Sequence, residues 1–255
     1  MGKELQDRVV FVTGGANGIG RACAQAYAGE GARVVIADID GEAAAAVAGA
    51  LPREAMGLAC DVSKAAEVES AINKTVERFG ALHAVHNNAG LASPSKPLHL
   101  TSDEDWDRLF AVNLKSVLYT TRYAFEALKD ARGCILNTAS LVGEIGQADH
   151  AAYVGTKGGM IALTKAMALD YAADRIRVNA LCPAGVWTEM LRGWASEQAD
   201  PEGIATYLDR IHALGYCPEG DVVAHAAVFL LSDRAAFITG CALPVSGGAE
   251  LGYRR

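Results

Sequence analysis

The chain has 255 residues, 51% hydrophobic and 21% charged, with a formal net charge of −7. That balance belongs to a globular protein with its own core, and it excludes a disordered or fibrous chain. The acidic surplus, with no basic stripe, excludes nucleic acid as an expected partner. No apolar run reaches the roughly 18 residues that a membrane span needs. Six cysteines are scattered with no C-x-x-C pair, so no zinc site, other metal or dithiol redox pair is expected. Residues 1–12 carry charges and lack the apolar core of a secretory leader, so a cytoplasmic location is expected.

Val9-Val10-Phe11-Val12 is a short, β-branched apolar run and predicts a first strand. It ends in the turn Thr13-Gly14-Gly15-Ala16-Asn17-Gly18, and a helix is predicted over 19–29. A second strand follows over 33–38, then a helix over 42–51, a third strand over 57–60 and a helix over 64–79. A fourth strand over 82–86 leads into Asn87-Asn88-Ala89-Gly90. One long helix is expected over 103–128, capped by Thr101 or Ser102. Strands over 133–138 and 177–181 flank a helix over 153–172; a helix over 221–231 and a short strand over 242–245 finish the pattern.

Strands that are almost wholly apolar imply burial on both faces, hence a parallel sheet covered by helices. Strict alternation of strand and helix implies α/β architecture, a doubly wound Rossmann fold of about seven strands. No linker divides the chain, so residues 1–255 are read as a single domain. Residues 188–215 are less periodic and are read as a substrate loop or lid.

Gly14, Gly18 and Gly20 sit at the first strand–helix junction. Glycine there permits a tight turn and close approach to a diphosphate, which the free N–H groups of the helix start would hold. Asp38 ends the second strand, eighteen residues after Gly20. That is where a dinucleotide fold places a carboxylate to accept from the adenosine ribose, and its charge would repel a 2′-phosphate. NAD is therefore preferred to NADP, with Arg21 the nearest cation in the turn.

Tyr153 and Lys157 are four apart at the start of a predicted helix, so they share a face. A neighbouring ammonium favours the phenolate and would bring the Tyr153 pKa down toward the range useful for proton transfer.

Taken together, these residues resemble the short-chain dehydrogenase/reductase family from Val9 to Gly248. Thr13-Gly14-x-x-x-Gly18-x-Gly20 is similar to its cofactor turn, and Asn87-Asn88-Ala89-Gly90 to its sheet-stabilising motif. Asn113, Ser140, Tyr153 and Lys157 are similar to its catalytic four, with Ser140 thirteen residues before Tyr153. The resemblance implies that Tyr153 is the acid/base and that Ser140 holds the reacting oxygen. Lys157 would hold the nicotinamide ribose, and Asn113 a relay water. It further implies cofactor contacts from Asn17, Ile19, Ile39, Asp61, Val62, Asn88, Ala89, Gly90, Pro183, Val186 and Thr188. Two departures are Ala184 between Pro183 and Gly185, and Ser246 where the family often has Asp.

Gln147 and His150, near Tyr153, and Trp187 and Trp194, at the start of the irregular stretch, are the expected substrate contacts. Polar groups beside Tyr153 favour a hydroxylated substrate such as a sugar or polyol, with Met190 and Leu191 adding an apolar wall. His212 is expected at the surface. The leading reading is an NAD-dependent oxidoreductase acting on a secondary alcohol or its ketone. The alternatives are an NADPH-dependent reductase of carrier-bound 3-ketoacyl groups and a non-catalytic NAD-sensing regulator on the same fold. The resemblance implies a homotetramer, or a dimer, built on the long helices 103–128 and 153–172.

Overall fold

The structure, a computed structural model, describes residues 3–198 and 200–251. Seven strands form one sheet: β1 (Val9–Thr13), β2 (Arg33–Asp38), β3 (Ala55–Ala59), β4 (Ala84–Asn87), β5 (Cys134–Thr138), β6 (Arg177–Pro183) and β7 (Ala242–Val245). Their order is β3-β2-β1-β4-β5-β6-β7, and every pairing is parallel. Parallel neighbours cannot be joined by hairpins, so each connection crosses over a face of the sheet. The winding reverses between β1 and β4. There the loops leaving the strand ends part and open a crevice.

All five side chains of β1 and all five of β5 are buried. The helices that cover them divide by face. On one side α3 (Ala65–Phe79), α5 (Ser116–Ala131) and α7 (Ala151–Asp170) pack Val68, Ile72, Val117, Leu128 and Met160 against Phe11, Val85 and Ile135. On the other, α1 (Gly18–Gly29), α2 (Gly41–Gly49) and α10 (Gly220–Leu231) pack Tyr27, Ala44, Val223 and Leu230 against Val10, Ile36 and Leu136. Each fully buried Val, Leu or Ile contributes about 1.5–3 kcal/mol.

Predicted elements and observed ones agree in kind, with ends displaced by a few residues, as fraying ends usually are. The helix expected over 103–128 starts where Ser102 accepts from Asp105 N–H at 3.2 Å. It is not uniform. α4 (Asp103–Phe110) passes into a π-turn (Ala111–Lys115) before α5 begins. The irregular stretch 188–215 is a second correction. It folds as α8 (Glu189–Ser196) and α9 (Pro201–Ile211), around Ala199, which lies outside the described residues. Thr188 caps α8 by accepting from Leu191 N–H, and Asp200 caps α9 by accepting from Gly203 N–H, with Pro201 at the first helical position. Cap residues and proline at that position define a helix start without any long apolar stripe. His212, expected at the surface, is 3% exposed beneath Gly185 and Gly247; its Nδ1 bonds the Leu208 carbonyl.

Between β4 and β5 the core is polar. Asn87 Nδ2 donates to Asn137 Oδ1 at 2.9 Å, Asn137 Nδ2 donates to Thr164 at 2.9 Å, and Thr120 donates to Asn87 Oδ1 at 2.7 Å. These bonds fix α5 and α7 against the strand ends. An Asn137→Ala variant leaves the buried Asn87 amide without its acceptor. It should lose about 1–3 kcal/mol of unfolding free energy in a denaturant titration.

Candidate active site

At the reversal between β1 and β4 the loops enclose a cleft of about 630 Å³. Its floor is the glycine turn. Gly14 has φ +61°, a left-handed conformation natural to glycine, and a Cβ there would lie 2.8 Å from Ala89 Cα. A Cβ on Gly20 would stand 2.1 Å from the Gly14 carbonyl oxygen. The turn therefore packs backbone against backbone. Its anchor is β4: Asn88 Nδ2 donates to the Thr13 and Gly14 carbonyls at 3.2 and 3.0 Å. The Thr13 hydroxyl accepts from the N–H groups of Asn88 and Ala89 at 3.0 and 3.1 Å. Asp38, at the end of β2, accepts from Ala16 N–H at 3.0 Å and so ties the turn to the next strand while facing the cleft.

Sixteen of the residues expected at the site line this cleft: Gly14, Asn17, Gly18, Ile19, Asp38, Ile39, Asp61, Val62, Asn88, Ala89, Gly90, Ser140, Tyr153, Lys157, Pro183 and Thr188. Gly20 lies under the turn. Val186 is buried in the core on the α1 side. Asn113 is wholly buried behind Gly90, within the π-turn. Such a turn inserts an extra residue into the helix and redirects a side chain. Here the Asn113 amide donates to the Leu91 carbonyl at 2.8 Å and accepts from Leu91 N–H at 2.7 Å.

Of the expected substrate contacts Ser140 and Tyr153 line the cleft, but Gln147, His150, Trp187 and Trp194 do not. Gln147 is exposed. His150 spends both ring nitrogens: Nδ1 on the Ala148 carbonyl at 2.8 Å and Nε2 on the Ser95 hydroxyl at 2.7 Å. Its ring stands edge-on to Tyr153, 6.4 Å between centroids. Trp187 lies under the Arg192 guanidinium, 5.0 Å from ring centroid to charge, in a side groove beside Arg21 and Glu219. Trp194 is on the outer part of α8, 37% exposed. Their places in the chain lie near cleft residues, but the loops turn these side chains elsewhere. Asp149, in a left-handed conformation with φ +57°, helps turn 147–149 outward.

The cleft also takes in Leu91, Ala92, Arg108, Val112, Ala184, Glu189 and Met190, for which no contact with a cofactor was expected. Arg108 and Val112 are four apart, one helical face, and that spacing was readable. Glu189 is different: Gly18 N–H donates to its Oε2 at 2.9 Å, and the Arg21 guanidinium pairs with its Oε1. The N–H of its own backbone first, and then those bonds, hold its carboxyl below the ordinary range against the opposing effect of burial. Ser246, the departure near the chain end, is buried and donates to Glu250.

Lys157 is 3% exposed, and its Nζ donates to the Thr138 carbonyl at 2.7 Å. Burial lowers its pKa to about 8. Its Nζ is 5.8 Å from the centre of the Tyr153 ring. Burial pushes the Tyr153 phenol above its ordinary value, and a hydrogen bond with Ser140 pulls partly the other way. The expected lowering of Tyr153 by the ammonium is thus corrected: the Lys157 hydrogen bond goes to Thr138, and desolvation of the phenolate dominates. Among the described residues no cluster of His, Cys, Asp or Glu could hold a metal ion, and no helix is long and apolar enough to cross a membrane.

Residues 14–250 match the family model described as enoyl-(acyl carrier protein) reductase. The chain is 41% identical to meso-2,3-butanediol dehydrogenase of Serratia marcescens, covering 96% of this chain and 95% of that one. It is 40% identical to L-fucose dehydrogenase of Bos taurus, covering 100% and 94%. A crystal structure of 3-ketoacyl-(acyl-carrier-protein) reductase from Brucella melitensis complexed with NADH superposes with a TM-score of 0.89 at 33% identity, covering 97% of this chain and 100% of that one. The chain belongs to the short-chain dehydrogenase/reductase family. It is a nicotinamide-dependent oxidoreductase that transfers a hydride between the cofactor and a secondary alcohol or its ketone.

The Lys157 ammonium carries a measurable cost. Its pKa is about 8 in the fold against 10.5 in the unfolded chain. Between those values the unfolded chain binds more protons, so stability rises with pH through that window, and the penalty is present in full below it. The span corresponds to about 3 kcal/mol. Relative to Lys157→Met, the wild type should therefore gain unfolding free energy between about pH 8 and pH 10.5; a gap independent of pH would contradict a desolvated ammonium.

Proposed function

We propose that the protein is an NAD-dependent dehydrogenase of a small hydroxylated compound, a sugar, polyol or diol, with Tyr153 as its acid/base. One observation carries this reading: Ser140, Tyr153 and Lys157 line the same cleft as the glycine turn and Asp38. The cradle fits a dinucleotide. Its backbone leaves no room for side chains at Gly14 and Gly20, and a carboxylate stands at the end of β2. NAD, when bound, supplies the hydride acceptor at its nicotinamide ring.

The protein's own groups do the rest. The Tyr153 phenol, whose protonated form burial favours, gives its proton to a carbonyl in reduction and is left as phenolate; in oxidation it must start as the phenolate, which takes the proton from the alcohol. Ser140 orients the reacting oxygen against it. Lys157, fixed by the Thr138 carbonyl, supplies positive charge on the cleft wall, and Asn113 braces the Leu91 backbone behind it. Asp38 favours the ribose of NAD over the 2′-phosphate of NADP by charge repulsion. Arg21, the nearest cation in the turn, is already paired with Glu189.

The activities by which the two relatives are named, on butanediol and fucose, support a small hydroxylated substrate. A cytoplasmic homotetramer, assembled on the faces of α5 and α7, completes the proposal. Exposed Leu118 and Leu169 on these helices support it, and light scattering in solution tests it.

Tyr153→Phe should lose at least about 10²-fold in turnover, the scale of a missing general acid; unchanged turnover rejects the mechanism. Turnover with NADH should exceed that with NADPH, and Asp38→Ala should narrow the gap. A preference for NADPH would favour the ketoacyl-reductase reading. A panel of sugars, polyols, diols and hydroxy acids followed by NADH absorbance identifies the substrate class.

A further inference from the structure

His86 occupies the centre of the sheet, between Val12 and Leu136 in register, and is wholly buried. An imidazole in such surroundings is costly unless both nitrogens are bonded. Both are. Nδ1 lies 3.0 Å from the hydroxyl of Tyr27 on α1, and Nε2 lies 2.8 Å from the hydroxyl of Thr138 at the end of β5.

The direction of each bond follows by elimination. The single hydroxyl proton of Thr138 goes to Asn88 Oδ1, at 3.2 Å. Toward His86 the Thr138 oxygen must therefore accept, so Nε2 carries the proton. Nδ1 is then bare and accepts from Tyr27. Burial drives the His86 pKa down to about 3, so the ring stays neutral through the working range.

Asn88 inherits this order. With Oδ1 turned to Thr138, its amide N–H₂ is turned to the Thr13 and Gly14 carbonyls. The opposite tautomer of His86 would draw the Thr138 proton to Nε2. Asn88 Oδ1 would then lose its donor, and with it the bond that helps keep the oxygen turned away from the Thr13 and Gly14 carbonyls. Thr138 is also the residue whose carbonyl holds Lys157, from the opposite face of the sheet.

We propose that His86 is a positioning residue: by donating to Thr138 it sets the orientation of the Asn88 amide, and so the glycine turn, and it fixes the strand end whose carbonyl seats Lys157. The proposal rests on the assignment of the turn and Lys157 to cofactor binding and catalysis. His86 touches neither substrate nor cofactor; it acts through its neighbours.

The double variant Tyr27→Phe/His86→Val separates positioning from packing. Replacing both partners by apolar groups leaves neither Tyr27 nor His86 with an unpaired atom, so stability should change little. Positioning predicts a kcat/KM for NAD about tenfold lower, the scale of a sub-ångström displacement of a site. His86→Gln should restore most of it, because its amide can donate to Thr138 while its oxygen accepts from Tyr27. Nitrogen NMR of histidine-labelled wild type, with His86 assigned by the His86→Gln spectrum, should show a protonated Nε2 and a bare Nδ1.

Wild-type kcat and KM in a stably folded double variant would overturn the proposal, and so would the opposite tautomer. If the double variant does not fold, the His86→Gln kinetics and the wild-type spectrum decide. A Tyr153→Phe enzyme that keeps its turnover defeats the functional assignment itself; an inactive Tyr153→Phe beside a wild-type-like double variant defeats only the role of His86.

Discussion

Asn88 bonds two structures to each other: the end of the fourth strand and the glycine turn that follows the first. Strand pairing brings β1 and β4 side by side only as far as their ends. Beyond them the chain must turn without ladder bonds, and buried backbone carbonyls still need donors. The Asn88 amide supplies these to Thr13 and Gly14, and the Thr13 hydroxyl returns the favour to Asn88 and Ala89. The shape of the cleft floor follows from that exchange. So does the absence of room for side chains at Gly14 and Gly20.

The polar interior continues from there. Asn87 and Asn137 pair on one face of the sheet, His86 and Thr138 on the other. Buried hydrogen bonds add little net stability compared with apolar packing, but they are costly to leave unmade. They specify register and orientation where Val or Leu would tolerate drift. Buried Lys157 is the most expensive member of the group, and its position is fixed by one carbonyl.

Periodicity revealed the sheet because strands buried on both faces must be apolar throughout: Val9 to Val12 and Val34 to Ala37 have no other plausible setting. The glycine turn and Asp38 were legible for the same reason, since their spacing reflects local backbone geometry. α8 and α9 were not found by pattern. They span only 8 and 11 residues, so their apolar stripes repeat too few times to stand out, although Thr188 and the pair Asp200-Pro201 announce two helix starts. Of the outer substrate contacts only Met190 lines the cleft, for a different reason. Proximity in sequence to Tyr153 says nothing about which way Gln147 and His150 turn, and a tryptophan at the base of a short helix can pack under an arginine instead of over a cleft. The environment of Tyr153 was misjudged because helical spacing places an ammonium on the right face without saying where its hydrogen bond goes. His86 carried no motif at all; its importance depends on Tyr27 and Thr138, far away in the chain.

The carboxylate of Glu189 rests on the first N–H of α1 and on Arg21. A helix start accommodates one anion at that N–H. A diphosphate arriving there would compete with a carboxylate that is rooted in the first turn of α8. Docking at the floor of the crevice would then be coupled to displacement of Glu189, and the free energy of breaking its two contacts would weaken coenzyme binding.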